Sequence, residues 1–371
     1  MLIQNAKAFI DGKFQEKTDL LIRDGRISAI GTGLAAEGEE LLDLGGDLLL
    51  PGFVDVHIHA FKGMDAMQGE EAVRHMSREL KKVGVAAFLP TTMSASPEDT
   101  VRALAGVKAV MERPEPDGAI VLGAHMEAPF LAEAKAGAQL KQYFADPNEE
   151  NWQRYTRGLE SVVRLITMAP ERAGAMEFIS ALTKKGITVS IGHTTADAET
   201  THAAAEAGAT HVTHTFNAQT PLNHRAPGVP GAALVDDRLQ CEVISDGIHL
   251  HPDIVKLIIR TKGKEKLVAI TDAMEAAGMP DGQYQLGGQE VFVHEGAARL
   301  KDGTLAGSTL TMIRAFQNLI RFGATPEEAA LMTTKTPALS IGNEELGEIE
   351  LGAPAIFSRF DENYAFKGTV G

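Results

Sequence analysis

PGFVDVHIHA, residues 51–60, is the stretch that decides the fold and much of the chemistry of this chain. It is short, apolar and rich in β-branched residues, as a buried strand is, and the Pro51-Gly52 pair marks its entry. Residues two apart on a strand point to the same face, so His57 and His59 can converge on one ion. A buried strand that ends in two hydrogen-bonded histidines is the alternative, and the rest of the chain has to decide between them.

The middle of the chain repeats the pattern of an apolar strand followed by an amphipathic helix. Strands that alternate with helices indicate parallel βαβ units, and eight such units indicate an α/β protein with a (β/α)8 TIM-like barrel. The predicted strands are 48–57, 85–91, 119–125, 163–169, 187–193, 209–214, 240–245 and 267–272. Helices are expected between them, among others at 69–82, 176–185, 197–207 and 252–261.

Both ends of the chain have a different character, with short strands and tight turns. Asp-Gly pairs at 11–12 and 24–25 are hairpin signals, and the tail shows the same short-strand pattern. We therefore expect residues 1–50 and 345–371 to form one small, discontinuous β-sandwich domain. Residues 51–344 then form the barrel domain.

Composition excludes several classes of protein. The chain carries 35 Lys and Arg against 50 Asp and Glu, a net charge of -15, and no basic run that would indicate nucleic-acid binding. Cys241 is the only cysteine, so no intrachain disulfide can form, and its apolar surroundings predict a buried thiol. We see neither a signal-peptide pattern nor an apolar run of membrane-spanning length. A cytoplasmic enzyme without a membrane partner is the expectation.

Residues able to bind metal follow the predicted strands at one end. Barrel active sites are assembled at the C-terminal ends of the strands, so these side chains should meet. Imidazoles with a carboxylate suit zinc, iron or manganese better than magnesium or calcium. Asp272, on the last strand, is the expected general base and later the general acid. The residues are His57, His59, His125, Glu127, His193, His214, Asp246, His249 and Asp272.

Other histidines are assigned to structure. His211 and His214 lie three apart, so on one strand they would point to opposite faces. His214 is nearer the C-terminal end and is the expected ligand, whereas His211 is expected to be structural. The remaining candidates lie in predicted helices or hairpins and are expected on the surface or in packing: His75, His202 and His294.

Several longer segments give the sequence a family resemblance. GAHMEAPFLAEAKAGAQ, SIGHTTAD, THVTHTFNAQTPLNHRAPGVPGAAL, ISDGIHLHP and DGTLAGSTLTM, together with PGFVDVHIHA, resemble the amidohydrolase superfamily. Within that superfamily they resemble the N-acetylglucosamine-6-phosphate deacetylases. The resemblance covers essentially the whole chain and implies hydrolysis of N-acetylglucosamine 6-phosphate to glucosamine 6-phosphate and acetate, in amino-sugar catabolism or cell-wall sugar recycling.

The resemblance assigns roles to the metal-binding and reacting residues. Glu127, His193 and His214 match the main metal ligands of the family, and Asp272 matches its acid/base. A second metal position, which some members have lost, is matched by His57 and His59. The resemblance also implies that His249 hydrogen-bonds the carbonyl oxygen of the substrate. We expect one or two divalent ions per subunit, with zinc favoured over iron or manganese.

The resemblance also implies how sugar and phosphate are held. His224 and Arg225 match the phosphate-binding loop, and in the family this arginine reaches the site of the neighbouring subunit, which implies a homodimer. Sugar contacts, partly through the backbone, are implied for Ala138, Gln139, Asn217, Ala218, Leu305, Ala306 and Gly307. Two departures concern the site, because Ala128 stands where glycine is common and Gln139 where many members have histidine. Gln139 can hydrogen-bond but cannot be cationic.

Alternatives remain at this point. A deacetylase for the galactosamine 6-phosphate epimer differs only around one hydroxyl group. Cyclic-amide hydrolases typically use a carboxylated lysine at strand four, and this strand four, VRLITMAPE, offers none. A scaffold with a dead site has no chemical reason to keep six metal-binding and acid/base residues. Residues 141–157, with Trp152, are a candidate lid over the site.

Overall fold

The computed structural model describes residues 1–35 and 38–371 and consists of a parallel barrel beside a smaller sheet. Parallel pairing runs through all eight barrel strands in chain order, which we number 1 to 8. Strands 1 and 8 are the seam of the barrel. The fold class expected from the sequence is therefore confirmed. The strands are Phe53–Ile58, Val85–Thr92, Ile120–Val121 with Ala124–Met126, Val163–Met168, Thr188–Ile191, His211–Val212, Gln240–Ile244 and Leu267–Ile270.

Side-chain and backbone hydrogen bonds join the two strands at this seam. The Thr271 hydroxyl donates to Oδ2 of buried Asp55 over 2.6 Å. The backbone nitrogen of Asp272 donates to the carbonyl of His57 over 2.8 Å, and that of His59 to Ala273 over 3.0 Å. These hydrogen bonds join the first and last strands at the polar end of the barrel.

Two of the predicted strands are divided in the structure. The segment expected as 48–57 divides at Gly52, because Leu48–Pro51 pairs antiparallel with Phe357–Phe360 in the smaller sheet. A side chain at Gly52 would meet the Cβ of Ala86 at 2.5 Å, so only glycine fits where the chain passes between the two sheets.

The predicted strand 119–125 is also interrupted, at Gly123. This residue has φ +145, and a side chain there would meet Arg164 and the carbonyl of Val162. The interruption turns the chain just before His125 and Glu127.

Both ends of the chain meet in the smaller sheet of seven strands. A separate apolar cluster lies on this sheet and includes Ile3, Leu20, Leu49 and Phe357. The domain boundaries 1–50, 51–344 and 345–371 stay a prediction, and residues 36 and 37 of the first segment lie outside the described residues. The strands are Leu2–Ile10, Lys13–Arg23, Arg26–Gly31, Leu41–Asp43, Leu48–Pro51, Phe357–Phe360 and Phe366–Val370.

Helices surround the barrel and bury their apolar faces against it in the largest core cluster. Several begin at a residue whose side chain accepts a backbone N–H of the first turn, as Ser96, Asp197 and Thr325 do. The predicted helices are found within a few residues of their expected ends. The α-helices are Glu70–Lys81, Pro97–Glu112, Glu149–Thr156, Ala175–Lys184, Ala198–Ala207, Gly228–Val235, Pro252–Lys266, Met312–Arg321, Pro326–Thr333 and Lys335–Ser340.

Shorter elements cover the polar end of the barrel. An antiparallel sheet of Gly282–Leu286, Gln289–His294 and Ala297–Arg299 packs its own apolar cluster over this end. The remaining short elements are the strands Ala60–Phe61 and Met64–Asp65 and the 3-10 helices Ala66–Gln68, Glu133–Lys135, Lys141–Tyr143 and Glu160–Val162. Within residues 1–35 and 38–371, none of the helices combines the length and apolar character needed to cross a membrane.

Candidate metal centre

Four imidazoles converge on one carboxylate at the C-terminal end of the barrel. Oε1 of Glu127 lies 3.2 Å from Nε2 of His193 and 3.1 Å from Nε2 of His214. Its Oε2 lies 3.3 Å from Nε2 of His59, and Nε2 of His57 is 3.5 Å from Oε1. Five residues from strands 1, 3, 5 and 6 are thus brought together, as the strand-end argument predicts.

The other ring nitrogens fix which atoms face the centre. Nδ1 of His59 lies 3.2 Å from the carbonyl oxygen of Thr91, and Nδ1 of His193 lies 2.7 Å from that of Lys135. A carbonyl oxygen only accepts, so both rings donate through Nδ1. Each Nε2 then presents a lone pair to the centre when the ring is neutral, as a metal ligand requires.

The donor set fits a divalent ion. Two groups of three residues each offer ligand atoms within 4.8 Å of one another, namely His57, His59 and Glu127, and Glu127, His193 and His214. Nε2 of His57 is buried and has no hydrogen-bond partner among the described residues, which is costly for a polar atom unless a ligand takes it. Glu127 belongs to both groups, so it can bridge two ions.

Charges within this buried cluster support one another. Burial alone would raise the pKa of Glu127, but the neighbouring imidazoles, His57 first, hold it well below its ordinary value. Burial alone would lower the pKa of His59, but its contacts with Asp272 and Glu127 raise it well above the ordinary value. Glu127 is therefore a carboxylate at neutral pH and is available as a ligand.

Asp272 lies beside the histidines of strand 1. Its Oδ1 is 3.1 Å from Nε2 of His59 and 3.5 Å from Nε2 of His57. Burial opposes ionisation, but the positive potential of these rings lowers the pKa of Asp272 to about 2. Asp272 is an ionised base at neutral pH and faces the same cavity as the metal-binding groups.

His249 is held by an aspartate three residues before it. Nδ1 of His249 donates to Oδ2 of Asp246 over 2.7 Å, and Oδ1 of Asp246 accepts the backbone nitrogens of Ile248 and His249 over 2.8 Å each. Burial would lower the pKa of His249, but this hydrogen bond and the charge of Asp246 raise it. The imidazole lines the cavity, and its raised pKa favours the imidazolium, the form in which Nε2 can donate there.

A cavity of about 330 Å³ opens above these groups. It contains most of the sugar contacts that the sequence suggests. Ala306 is buried behind the wall, and His224 and Arg225 are exposed outside it. Lys135 lines the cavity and was not a candidate from the sequence. The suggested contacts among the lining residues are Ala138, Gln139, Asn217, Ala218, His249, Leu305 and Gly307.

Gln139 contacts Glu127, the carboxylate of the candidate metal centre. Its Nε2 donates to Oε2 of Glu127, and its Oε1 accepts the backbone nitrogen of Ser94 over 2.7 Å. Both ends of the amide are therefore bonded within the protein. The structure places this side chain against Glu127 as well as on the cavity wall, a contact that sequence reasoning missed.

Backbone strain is concentrated at the strand ends. His193, His214 and Asp272 have φ values of 46, 29 and 49, in a region that residues other than glycine rarely adopt. His214 lies beyond strand 6, which ends at Val212, so the argument that placed His211 and His214 on one strand was wrong. The turn directs His214 inward, while His211 is buried away from the centre. Such strain is typical of functional sites.

Several residues expected in structural roles lie outside the centre. His75 contacts the carbonyl of Lys62, His202 contacts Asp236, and the His294 side chain is 87% exposed. Trp152, in the candidate lid, is fully buried against Phe178. Among the described residues, none from 141–157 lines the cavity.

Comparison with known proteins agrees with this geometry. The model of the Amidohydrolase family matches residues 48–368. The chain is 36% identical to the N-acetylglucosamine-6-phosphate deacetylase of Lysinibacillus sphaericus, over 100% of this chain and 96% of that protein. It is also 36% identical to the N-acetylgalactosamine-6-phosphate deacetylase of Escherichia coli O157:H7, over 91% of this chain and 88% of that protein.

A solved structure extends the likeness to three dimensions. An aspartate-to-alanine mutant of the N-acetyl-D-glucosamine-6-phosphate deacetylase from Mycobacterium smegmatis, in complex with N-acetyl-D-glucosamine-6-phosphate, superposes with a TM-score of 0.92 at 31% identity. The match covers 100% of this chain and 97% of that one. The chain therefore belongs to the amidohydrolase family and groups within it with the N-acetylglucosamine-6-phosphate deacetylases.

Proposed function

We propose that this protein hydrolyses the acetamide of N-acetylglucosamine 6-phosphate, releasing acetate and glucosamine 6-phosphate. The observation that carries the proposal is the convergence of four imidazole Nε2 atoms on Glu127, with Asp272 and His249 facing the same cavity. The M. smegmatis relative, which was solved with this sugar phosphate, supports the choice of substrate. Amino-sugar catabolism or cell-wall sugar recycling in the cytoplasm is the proposed setting.

A divalent ion completes the centre in this proposal. Glu127, His193 and His214 would hold one ion, and His57 and His59 would hold a second with Glu127. Imidazole and carboxylate ligands suit zinc first, with iron or manganese as alternatives. When bound, such an ion supplies Lewis acidity that makes water nucleophilic near neutral pH.

Asp272 moves the proton in the proposed reaction. Its carboxylate is ionised at neutral pH and lies at the polar end of strand 8, beside His57 and His59. It takes a proton from the attacking water as the C–O bond forms. It then gives that proton to the nitrogen of the sugar as the C–N bond breaks, because an amide anion is a poor leaving group.

His249 acts on the carbonyl oxygen of the acetamide. Asp246 fixes the proton on Nδ1 and orients the ring, so Nε2 faces the cavity. A donor at this position stabilises the negative charge that develops on the oxygen during attack. Because Nδ1 donates to Asp246, Nε2 carries a proton to donate only in the imidazolium form, and the raised pKa of His249 favours that form.

The phosphate group requires cations because the chain has a net charge of -15. His224 and Arg225 are exposed on the loop that precedes the helix Gly228–Val235. We propose that Arg225 reaches the site of a second copy in a homodimer and binds phosphate bidentately. Ala138, Asn217, Ala218, Leu305 and Gly307 would contact the sugar from the cavity wall.

Acetate release from N-acetylglucosamine 6-phosphate by the metal-replete protein tests the proposal. The unphosphorylated sugar and the galactosamine 6-phosphate epimer serve as comparison substrates. We expect strong activity on the first substrate and little on the other two. Greater activity on the epimer would move the substrate to that of the E. coli relative and keep the mechanism. Inactivity on all three with metal bound would contradict the assignment.

A further inference from the structure

Glu242 is a buried carboxylate inside the barrel that the proposed reaction does not use. It lies on strand 7 with no exposed surface. Its Oε2 lies 3.1 Å from Nδ1 of His57 and 3.3 Å from the backbone nitrogen of His214. Its Oε1 has no hydrogen-bond partner among the described residues.

Such a group is unfavourable for folding alone. Removing a carboxylate from water costs several kcal/mol unless ion pairs and hydrogen bonds compensate, and an unpaired oxygen adds to the cost. Asp55, another buried carboxylate of the barrel, uses both oxygens on strand 8 and closes the seam. Glu242 instead directs one oxygen at His57 and His214 of the candidate centre. We therefore look for a role at that centre that compensates the unfavourable burial of Glu242.

The contact with His57 determines which nitrogen of that ring faces the centre. The carboxylate accepts a hydrogen bond from Nδ1. The buried Nε2, which has no hydrogen-bond partner among the described residues, is then available to a metal ion. The ring is also packed edge-on against His125, with centroids 4.5 Å apart at 89°. Its orientation is therefore fixed by one hydrogen bond and one packing contact.

We propose that Glu242 is a positioning residue that orients His57 and raises its basicity toward a metal ion at the His57, His59 and Glu127 position. This inference rests on the proposed metal-dependent function. The effect is indirect, because Glu242 contacts the ligand and not the ion or the substrate. Partners of this kind change metal affinity about 10- to 100-fold when they are removed.

Metal affinity in four variants tests the proposal. Zinc is titrated against a chromophoric chelator, and bound zinc per chain is counted by mass spectrometry. Glu242→Gln keeps the shape and an acceptor but removes the charge. Asp236→Asn is the matched control, because Asp236 is a buried carboxylate whose partners, Arg238 and His202, lie outside the centre. His57→Asn and the double variant with Glu242→Gln complete a mutant cycle.

We expect Glu242→Gln to weaken the binding of one zinc ion by at least about tenfold and to leave the melting temperature of the metal-free protein unchanged. Asp236→Asn should leave zinc affinity unchanged. In the His57→Asn background, the change at Glu242 should have no further effect, because the intermediary is gone. Additive losses, unchanged affinity, or a loss that follows lower stability of the metal-free protein would overturn the proposal.

Glu242→Asp is a further variant at the same position, and it keeps the charge but shortens the side chain. It should weaken zinc binding in the same way. If Glu242→Gln does not fold, the zinc affinity of Glu242→Asp tests the proposal instead. Failure of both variants to fold would assign Glu242 to the fold and overturn the proposal. Because the measurement is zinc binding, the proposal survives if zinc responds as expected and no acetate is released, an outcome that contradicts only the proposed reaction.

Discussion

At the scale of single residues, the centre is defined by atoms that have no other use. Nε2 of His57 is buried without a hydrogen-bond partner among the described residues. Nε2 of His193 and Nε2 of His214 lie 3.1 Å apart, so the two rings bring two lone pairs together when neutral His214 carries its proton on Nδ1. Each feature is unfavourable for the protein alone and becomes favourable when a cation is present.

Asp272→Asn should abolish most of the activity and keep the metal. The amide preserves the shape of the side chain but cannot accept the proton of water, so we expect kcat to fall at least about 100-fold. Acetate release and bound metal per chain are measured together. Near-normal turnover would contradict the role of Asp272, and loss of metal would assign it to the ligand set.

Gln139→Leu should reduce kcat/KM about 10- to 100-fold, because the substitution removes the donor to Glu127 and the acceptor for the backbone of Ser94. Activity is measured across a metal titration, which separates weaker metal binding from slower turnover. Glu133→Gln, an exposed change in the same segment, is the control. Equal rates in the two variants would show that the Glu127 contact is dispensable.

His211 should make the protein sensitive to mild acid. Burial lowers the pKa of His211 from 6.5 to about 4, so the unfolded chain binds a proton that the folded one excludes. With respect to His211, the free energy of unfolding is therefore highest above pH 6.5. It falls by at most about 3 kcal/mol as the pH falls toward 4. Urea unfolding of metal-free protein at pH 7 and pH 4.5 measures this change.

The substitution His211→Gln isolates this effect, because glutamine does not titrate. The variant should lose less unfolding free energy than the wild type between the two pH values. His294→Gln, at an exposed histidine, should behave like the wild type. An identical pH dependence in His211→Gln would contradict the prediction.

At the scale of elements, the loop before the helix Gly228–Val235 carries its predicted cation away from the cavity of its own chain. Arg225→Ala should weaken the binding of phosphorylated substrate about 10- to 100-fold, since hydrogen bonds to charged groups contribute about 1.5–3 kcal/mol. An unphosphorylated analogue should be little affected. Arg260→Ala, at another exposed arginine, is the control.

Mixing two impaired variants at a low substrate concentration tests whether Arg225 acts across subunits. A dimer of one Arg225→Ala chain and one Asp272→Asn chain contains one site with an intact Asp272 and an arginine from the other chain. Activity should therefore rise above the sum of the two separate variants after they are mixed and allowed to exchange. No recovery in a dimer shown to have exchanged would place Arg225 at the site of its own chain.

Strand-end residues could be predicted from the sequence, but their partners could not. The carboxyl ends of parallel strands meet, so His57, Glu127 and His193 could be grouped without a structure. Glu242 is 185 residues from His57 in sequence, and no local pattern shows that their side chains touch. The division at Gly52 was missed for the same reason, because contact with Ala86 determines it.

At the scale of the whole molecule, the sequence predicts the barrel because eight alternating units have few other arrangements. The pairing of the two chain ends is less local. Phe357–Phe360 pairs with Leu48–Pro51 across some 300 residues, and Phe360 also packs into the main core. The strands of the N-terminal segment pair with one another, and the two C-terminal strands join them through Leu48–Pro51.

The candidate site is completed in the same step as the barrel, when strands 1 and 8 meet at the seam. Asp55 and Thr271 are 216 residues apart in sequence. The bonds between strand 1 and strand 8 can therefore form only when almost the entire barrel exists. The same closure brings Asp272 to the histidines. During synthesis, a partly made chain can hold the strand 1 histidines but lacks the acid/base, so hydrolytic capacity arises only with the finished barrel.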